Sequence, residues 1–86
     1  MVKETWFVYI LYSIRTGKLY TGTSKDPQAR LARHNAGKGA KYTRSGRPWR
    51  IVYVEAREDR GDALRREYEI KGLTRAEKLL LAGLAA

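Results

Sequence analysis

An unbroken apolar and aromatic run, WFVYILY at positions 6–12, constrains the fold of this chain more than any other feature. A run of this length without a polar break predicts a β-strand that is buried on both faces. Such a strand needs a hydrophobic core around it. A chain of 86 residues can form a modest core, and we expect one domain that spans residues 1–86.

Turn and capping residues divide the rest of the chain into further elements. A turn at 15–18 follows the first strand, so the first two strands are expected to form a β-hairpin. The element order β-β-α-β-α-α predicts an α/β (α+β) fold, with a three-stranded, mostly antiparallel sheet and helices packed on it. We expect the later strands at 19–23 and 49–55, and the helices at 27–35, 61–71 and 75–84.

Each expected helix begins with a capping signal. The pair Asp26-Pro27 combines an N-cap acid with proline at the first helical position. Asp59 and Asp62 are typical of a capping box with Asp in place of Glu. The sequence TRAE at 74–77 is a standard capping box, so all three helix starts are predicted from local chemistry.

Positive charge is concentrated in one part of the chain. The formal net charge is +9, and residues 25–50 carry eight cations against a single acid, Asp26. Segregated charge repels itself unless a polyanion relieves it, so the pattern favours a nucleic acid partner. An acidic protein or ribosomal surface and a solvated basic face are the alternatives. The segment 36–48, rich in glycine and cations, is expected to be a loop that is mobile unless a ligand orders it.

Composition excludes several other kinds of site. The sequence has no cysteine, which excludes disulfides and thiolate metal sites and favours a cytoplasmic protein. It also lacks an apolar run of the ~20 residues that cross a bilayer. The basic segment has few bulky apolar residues opposite its charges, so we expect no membrane partner.

The acidic residue Glu67 falls on the apolar stripe of the second expected helix. It lies four residues after Ala63 and three before Ile70. An acid in such a position needs a partner. One interpretation is an edge position that pairs with Lys71, and the other is a metal-binding carboxylate that faces a cleft.

Two further groups of residues are candidates for chemistry. Arg30 and His34 share a helix face, which suits phosphate binding but also fits an ordinary surface pair. Tyr9 lies in the middle of the buried strand, and Tyr20 lies beside Gly22 on the next one. Both tyrosines can simply fill the core, with each hydroxyl bonded to a backbone group.

The order of these residues resembles the GIY-YIG nuclease superfamily. The matching segments are VYIL, LYTG, ARLARHNAGKGAKYTRSGRPW, IVYVE and ALRREYEIKGLTRAEK, which together cover roughly residues 6–80. They are most similar to the small stand-alone bacterial members, which are related to the N-terminal nuclease domain of UvrC. The resemblance implies the GIY-YIG fold and hydrolysis of phosphodiester bonds.

The resemblance also implies a role for each matched residue. Tyr9 matches a general base or water-positioning group, and Tyr20 matches a group that holds the attacking water. Arg30 matches the arginine that contacts the scissile phosphate, and His34 occupies a position that is His or Tyr in the family. Glu67 matches the single carboxylate that binds the divalent metal, which we expect to be one Mg²⁺ or Mn²⁺ ion.

The sequence departs from the family pattern in two places. The first tripeptide lacks its glycine, because Phe7 and Val8 precede the tyrosine. No asparagine follows Asn35, and Lys71 is the residue that we expect in the space of the family's late asparagine.

A tyrosine base poses a chemical difficulty, since an unperturbed tyrosine has a pKa near ~10. We expect Arg30, Lys41 and the metal to depress the pKa of Tyr9. The loop that follows the first helix is expected to bind the nucleic acid backbone through its cations and to stack one base on its tyrosine. The residues expected to bind nucleic acid are Lys38, Lys41, Tyr42, Arg44, Arg47 and Lys71.

These observations together predict a metal-dependent endonuclease that acts on DNA in preference to RNA. No base-reading helix is evident, so sequence specificity should be weak, and selectivity for nicks, flaps or single strands would link it to DNA repair or recombination. The alternative is a nucleic-acid-binding module of the same fold that has lost catalysis. We expect a monomer, with weak dimerisation as the alternative.

Overall fold

The computed structural model describes residues 4–84 and confirms the predicted element order. A three-stranded sheet is combined with three helices, and a short 3₁₀ turn, Lys41–Thr43, lies in the long loop. The elements are β1 (Trp6–Ser13), β2 (Leu19–Ser24), α1 (Pro27–Asn35), β3 (Trp49–Arg57), α2 (Arg60–Lys71) and α3 (Arg75–Leu81).

The apolar run forms the central strand of the sheet, as its composition predicts. The strand order is β2-β1-β3, and both pairings are antiparallel. The hairpin turn contains Gly17 in the left-handed region with φ +75°, a backbone angle that favours glycine. The turn fixes the register in which Tyr12 pairs with Leu19 and Tyr9 pairs with Gly22.

Side chains alternate between two cores because successive residues of a strand point to opposite faces. On one face Val8 and Ile10 pack against Ala63 and Ile70 of α2, and all four are fully buried. Burial of each large apolar side chain contributes roughly 1.5–3 kcal/mol, so this contact fixes α2 on the sheet.

The opposite face carries the second core. Tyr9 and Leu11 of β1 pack with Trp49 of β3, and Leu31 of α1 covers them. Because α1 and α2 therefore lie on opposite faces, residues from the two helices can meet only at an edge of the sheet. This arrangement determines where the candidate site can form.

Two helix starts agree with prediction, and one differs in detail. The Asp26 side chain accepts from the backbone N–H of Ala29, and the capping box that begins at Thr74 is complete. Asp59 caps α2 by accepting from the N–H of Asp62, but Asp62 does not return the bond to Asp59. Its carboxylate instead forms bonds with the Arg57 guanidinium. The two Asp residues therefore do not form the predicted reciprocal box.

The last helix is shorter than predicted. It ends at Leu81 rather than at 84, because Gly83 adopts a positive φ of +72° and the N–H of Leu84 turns back to the carbonyl of Leu79. Such a left-handed glycine is a common helix terminator. No helix within residues 4–84 has the length and hydropathy to span a membrane.

Candidate active site

Tyr9 lies at the centre of the sheet and directs its hydroxyl over the edge strand β2. Its register partner is Gly22, and a Cβ at position 22 would lie 2.6 Å from the Tyr9 hydroxyl oxygen. Glycine is required here because any side chain would occupy the space of the hydroxyl. The Tyr9 side chain is thereby buried while its reactive atom reaches the sheet edge.

His34 is the partner of the Tyr9 hydroxyl. The hydroxyl oxygen lies 3.2 Å from His34 Nε2, and the other ring nitrogen, Nδ1, lies 2.9 Å from the Thr43 hydroxyl. The histidine is only 2% exposed, so the interpretation of His34 as a surface residue is wrong. Tyr9 likewise bonds to a side chain and not to a backbone group, unlike a tyrosine that merely fills the core.

Tyr20 and Tyr42 extend the ring contacts of Tyr9 and His34, and we call these four rings the aromatic wall. The Tyr20 ring lies 5.0 Å from the His34 ring and 6.5 Å from the Tyr9 ring, measured between centroids. On its other side Tyr20 stacks on Tyr42, with centroids 6.1 Å apart and planes inclined by 25°. Tyr42 is half exposed, and Lys18 Nζ lies 6.0 Å from its ring centroid, so the ring borders solvent beside a cation.

Arg30 supplies positive charge next to these groups. It is exposed on α1, one turn before His34. Its charge opposes the rise that burial causes in the pKa of Tyr9 and adds to the fall that burial causes in the pKa of His34. For His34 burial is the larger cause of the lowered pKa, and Arg33 adds to it. The imidazole is therefore held in its neutral form at neutral pH.

Burial dominates the titration of Tyr9. It raises the pKa of Tyr9 to about 12, and Tyr20 and Glu67 add to the rise while Arg30 opposes it. Arg30, Lys41 and the metal were expected to bring this pKa below its ordinary value. Arg30 does lower it, as expected, but removal of the hydroxyl from water outweighs the guanidinium, so the expected net lowering by the cations is wrong. The hydroxyl is therefore protonated at neutral pH.

Glu67 reaches the same stretch of β2 from the opposite face of the sheet. Its Oε1 lies 3.5 Å from the Thr23 hydroxyl, which follows Gly22 in the chain. Its Oε2 forms an ion pair of 2.6 Å with Lys71, the partner that helical spacing suggests. The side chain of Glu67 is only 16% exposed, and its negative charge acts on Tyr9. The two halves of the site thus meet across the edge strand.

The donors near Glu67 fit a hard divalent cation. No three His, Cys, Asp or Glu side chains cluster as metal ligands in the part of the chain that the structure describes, so Glu67 would act as a lone carboxylate ligand. Mg²⁺ commonly binds through one or two carboxylates, several waters and substrate phosphates. A carboxylate beside the hydroxyl of Thr23 offers oxygen donors of this kind.

The basic loop after α1 is held by the protein itself, contrary to the expectation that only a ligand would order it. Asn35 bridges to the start of β3 by donating to the carbonyl and accepting from the N–H of Trp49. The Trp49 indole donates to the carbonyl of Thr43 at 2.8 Å, and Ser13 donates to the carbonyl of Gly46 at 2.6 Å. These bonds fix the loop beside the aromatic wall.

The expected nucleic-acid-binding residues do not form a single group. Lys41, Arg44 and Arg47 are all exposed on the loop, and Arg47 also lies against Gly37 and donates to the carbonyl of Arg44. The exposed Lys38 also lies on the loop, and Arg33 donates to its carbonyl. Lys71 lies apart from the loop, on α2 beside the Glu67 carboxylate.

Sequence reasoning assigned no role to three residues of the site region, although all three lie in a segment that supported the family resemblance. Thr43 is fully buried and bonds to His34, while Asn35 holds the start of β3. Gly39 has no side chain because a Cβ there would lie 2.2 Å from His34 Nδ1. The run GKGAKYT supported the resemblance, and its last residue is the one that bonds to the histidine.

The chain is similar in sequence to known proteins. The model of the GIY-YIG catalytic domain matches residues 5–79. The chain is 51% identical over 78 residues to the UPF0213 protein of Staphylococcus aureus strain Mu3. The match covers 91% of this chain and 94% of that protein. The UPF0213 protein SA0446 of Staphylococcus aureus strain N315 matches to the same extent.

A solved structure is also similar. The solution NMR structure of the UPF0213 protein BH0048 from Bacillus halodurans has 42% sequence identity with this chain and a TM-score of 0.57. The similarity covers 93% of this chain and 84% of that one.

Proposed function

Because the chain belongs to the GIY-YIG catalytic domain family, a family of nucleases, we propose that it is a metal-dependent endonuclease that hydrolyses the phosphodiester bonds of DNA. One observation carries the proposal. The hydroxyl of Tyr9, the imidazole of His34 and the carboxylate of Glu67 all lie around one short stretch of the edge strand β2. A hydroxyl, an imidazole and a carboxylate at one edge of the sheet can position a water, accept a proton and hold a metal ion, which are functions that phosphodiester hydrolysis uses.

Each group has a distinct task in this proposal. Tyr9 and Tyr20 would position the attacking water for in-line attack on phosphorus. Arg30 would neutralise the charge that develops on the phosphoryl oxygens. Glu67 would hold a Mg²⁺ or Mn²⁺ ion. When bound, the ion would act as a Lewis acid toward the phosphate and the leaving oxygen.

The surroundings of the site suit a flexible polyanion. Exposed cations of the loop, among them Lys41 and Arg44, lie beside the half-exposed ring of Tyr42. Cations contact phosphates without regard to sequence, and an exposed ring stacks on any base. We therefore propose weak sequence specificity and a preference for DNA with unpaired segments, such as nicks, flaps and single strands, which arise in repair and recombination.

A cleavage assay with matched variants tests the proposal. Wild type and the variants Glu67→Gln and Tyr9→Phe are incubated with nicked, flapped, single-stranded and duplex DNA, and with RNA, in Mg²⁺, Mn²⁺ or EDTA. Glu69→Gln is the control, because it makes the same chemical change on an exposed residue of the same helix. We expect both site variants to lose at least about 100-fold in rate, and the control to lose little.

The same assay contains the contrary outcome. If wild type and Glu67→Gln cleave equally in Mg²⁺ at matched purity, the proposed catalysis is wrong. Salt-sensitive DNA binding without metal-dependent cleavage would identify a non-catalytic binding module instead.

A further inference from the structure

The hydrogen bonds of Thr43 determine which nitrogen of His34 carries the proton. The Thr43 hydroxyl donates to the carbonyl of Ala40 at 2.8 Å, and a carbonyl oxygen can only accept. A hydroxyl has one proton, so the same oxygen must act as an acceptor toward His34 Nδ1 at 2.9 Å. It follows that Nδ1 is protonated.

The opposite nitrogen of the ring is therefore an acceptor. In a neutral imidazole with a proton on Nδ1, Nε2 carries a lone pair. This lone pair faces the Tyr9 hydroxyl oxygen at 3.2 Å, so Tyr9 donates its proton toward His34. Burial of the imidazole and the nearby Arg30 lower the pKa of His34, in keeping with a neutral ring.

On the basis of the proposed function, we propose that Thr43 is the positioning residue that fixes the Nδ1–H tautomer of His34, so that His34 Nε2 takes the proton that Tyr9 passes on from the attacking water. We call this proton transfer from water through Tyr9 to His34 the relay. It explains how a tyrosine that is protonated at neutral pH can accept a proton from the attacking water. A protonated phenol cannot accept a proton unless it gives one up at the same time.

Every bond and every proton in the proposed reaction is accounted for. A bond forms between the water oxygen and phosphorus as the bond between phosphorus and the leaving oxygen breaks. One water proton moves to the Tyr9 oxygen while the phenolic proton moves to His34 Nε2, which leaves an imidazolium. The leaving oxygen takes a proton from solvent, and the imidazolium then returns its proton to solvent. Tyr9 ends as it began, as a neutral phenol.

The surroundings of Thr43 hold it in the orientation that the relay needs. Its side chain is fully buried, its carbonyl accepts from the Trp49 indole at 2.8 Å, and its N–H donates to the carbonyl of Ala40 at 3.0 Å. The His34 ring in turn lies directly on the backbone of Gly39. Neither the hydroxyl nor the imidazole can turn away without breaking several contacts.

The test combines a spectroscopic readout with a rate. Long-range ¹H–¹⁵N NMR spectra of the full chain distinguish the two neutral tautomers of His34, which is the only histidine. We expect wild type to show a protonated Nδ1. Thr43→Val keeps the shape of the side chain but removes the acceptor, and should shift His34 toward the Nε2–H form. Thr43→Ser retains the hydroxyl and should restore the wild-type signals.

The cleavage rates should follow the tautomer. We expect Thr43→Val to lose about 10- to 100-fold in rate at unchanged DNA affinity, and Thr43→Ser to stay within about 3-fold of wild type. An Nε2–H tautomer in wild type would overturn the proposal, as would Thr43→Val with an unchanged tautomer or rate. If Thr43→Val does not fold, the wild-type spectrum and the Thr43→Ser rate decide. If wild type cleaves nothing, the endonuclease assignment fails, whereas the spectra still decide whether Thr43 fixes the tautomer.

Discussion

Lys71 Nζ lies 2.6 Å from Glu67 Oε2, one helical turn further along α2. The carboxylate that we propose as the metal ligand therefore already has a cation partner. Glu67 is mostly buried while Lys71 is half exposed, so the lysine can swing into solvent and the carboxylate cannot. A divalent ion at Glu67 must compete with this ammonium group.

The competition predicts the effect of Lys71→Met. Partly exposed ion pairs contribute up to about 1 kcal/mol, which is a factor of about 5 in an equilibrium. We expect the Mg²⁺ concentration at half-maximal cleavage to fall by about 2- to 5-fold. Lys78→Met on α3 is the control for loss of one charge. A raised Mg²⁺ requirement would mean that Lys71 assists the metal or contacts DNA instead.

The close approach of Tyr9 to Gly22 predicts that a larger residue at position 22 displaces the tyrosine ring. In Gly22→Ala the new methyl group would lie 2.6 Å from the Tyr9 hydroxyl oxygen, so the ring must move away from the edge strand. We expect cleavage to fall by at least about 10-fold while the fold persists, because a small misplacement of a reacting group is costly. Circular dichroism checks the fold.

Gly61→Ala is the matched control for that substitution. A Cβ at position 61 would meet only Asp59 Oδ1, at 3.6 Å, and the residue lies in the first turn of α2. Alanine should raise the free energy of unfolding by up to about 1 kcal/mol and leave cleavage unchanged. Equal losses of activity in both variants would show that the Tyr9 contact is not the cause.

The bridge between Asn35 and Trp49 predicts a stability effect. Asn35→Ala leaves both backbone groups of Trp49 without their partner, which should cost about 1–3 kcal/mol of unfolding free energy. Each kcal/mol corresponds to about 4–8 °C in Tm for a domain of this size. Gln28→Ala on the exposed side of the same helix is the control, and an equal Tm for both variants would contradict the prediction.

The exposed loop cations predict how DNA binding depends on salt. Each phosphate contact contributes about 0.9 to the slope of log affinity against log salt for duplex DNA, and about 0.7 for a single strand. The double variant Lys41→Ala, Arg44→Ala should therefore bind more weakly and reduce the slope by about 1.4–1.8. Arg65→Ala with Lys78→Ala removes the same charge elsewhere, and a similar change in slope would point to net charge alone.

The lowered pKa of His34 predicts a pH dependence of stability. The unfolded chain takes up a proton at His34 near the ordinary histidine pKa of 6.5, whereas the native protein does so only at lower pH. The contribution of His34 to the free energy of unfolding is therefore complete above pH 6.5 and is lost as the pH falls toward the pKa of the native state. The titratable and charged groups that face His34 are Tyr9, Tyr20, Arg30 and Arg33.

Urea unfolding between pH 7.5 and 4.5 checks this sign. Carboxylates contribute equally to wild type and to His34→Gln, so the difference between the two isolates the histidine. We expect the stability of wild type to fall more steeply below pH 6.5 than that of the variant. Parallel curves would show that the native pKa of His34 is not lowered.

Local chemistry in the sequence predicted much of the fold. The central strand at 6–12 and the capping acids Asp26 and Glu77 act through near neighbours, so the sequence alone reveals them. The hairpin register was not predictable, because it depends on the turn that Gly17 adopts.

Long-range contacts account for most of what sequence reasoning missed. Thr43 meets His34 only after a glycine-rich loop folds back, and Trp49 donates to the same threonine from the next strand. The pKa of Tyr9 was misjudged for a similar reason. The sequence shows cations nearby, whereas the depth of burial arises from the packing of two elements.

The placement of the candidate groups on opposite faces has a consequence for synthesis of the chain. Tyr9, Tyr20, Arg30 and His34 all precede the long loop in the chain, whereas Glu67 lies on α2, which follows β3. During synthesis both tyrosines are therefore made before the carboxylate that we propose as the metal ligand. If the proposed function holds, cleavage requires α2, and a chain that ends before Arg60 should bind nucleic acid without cutting it.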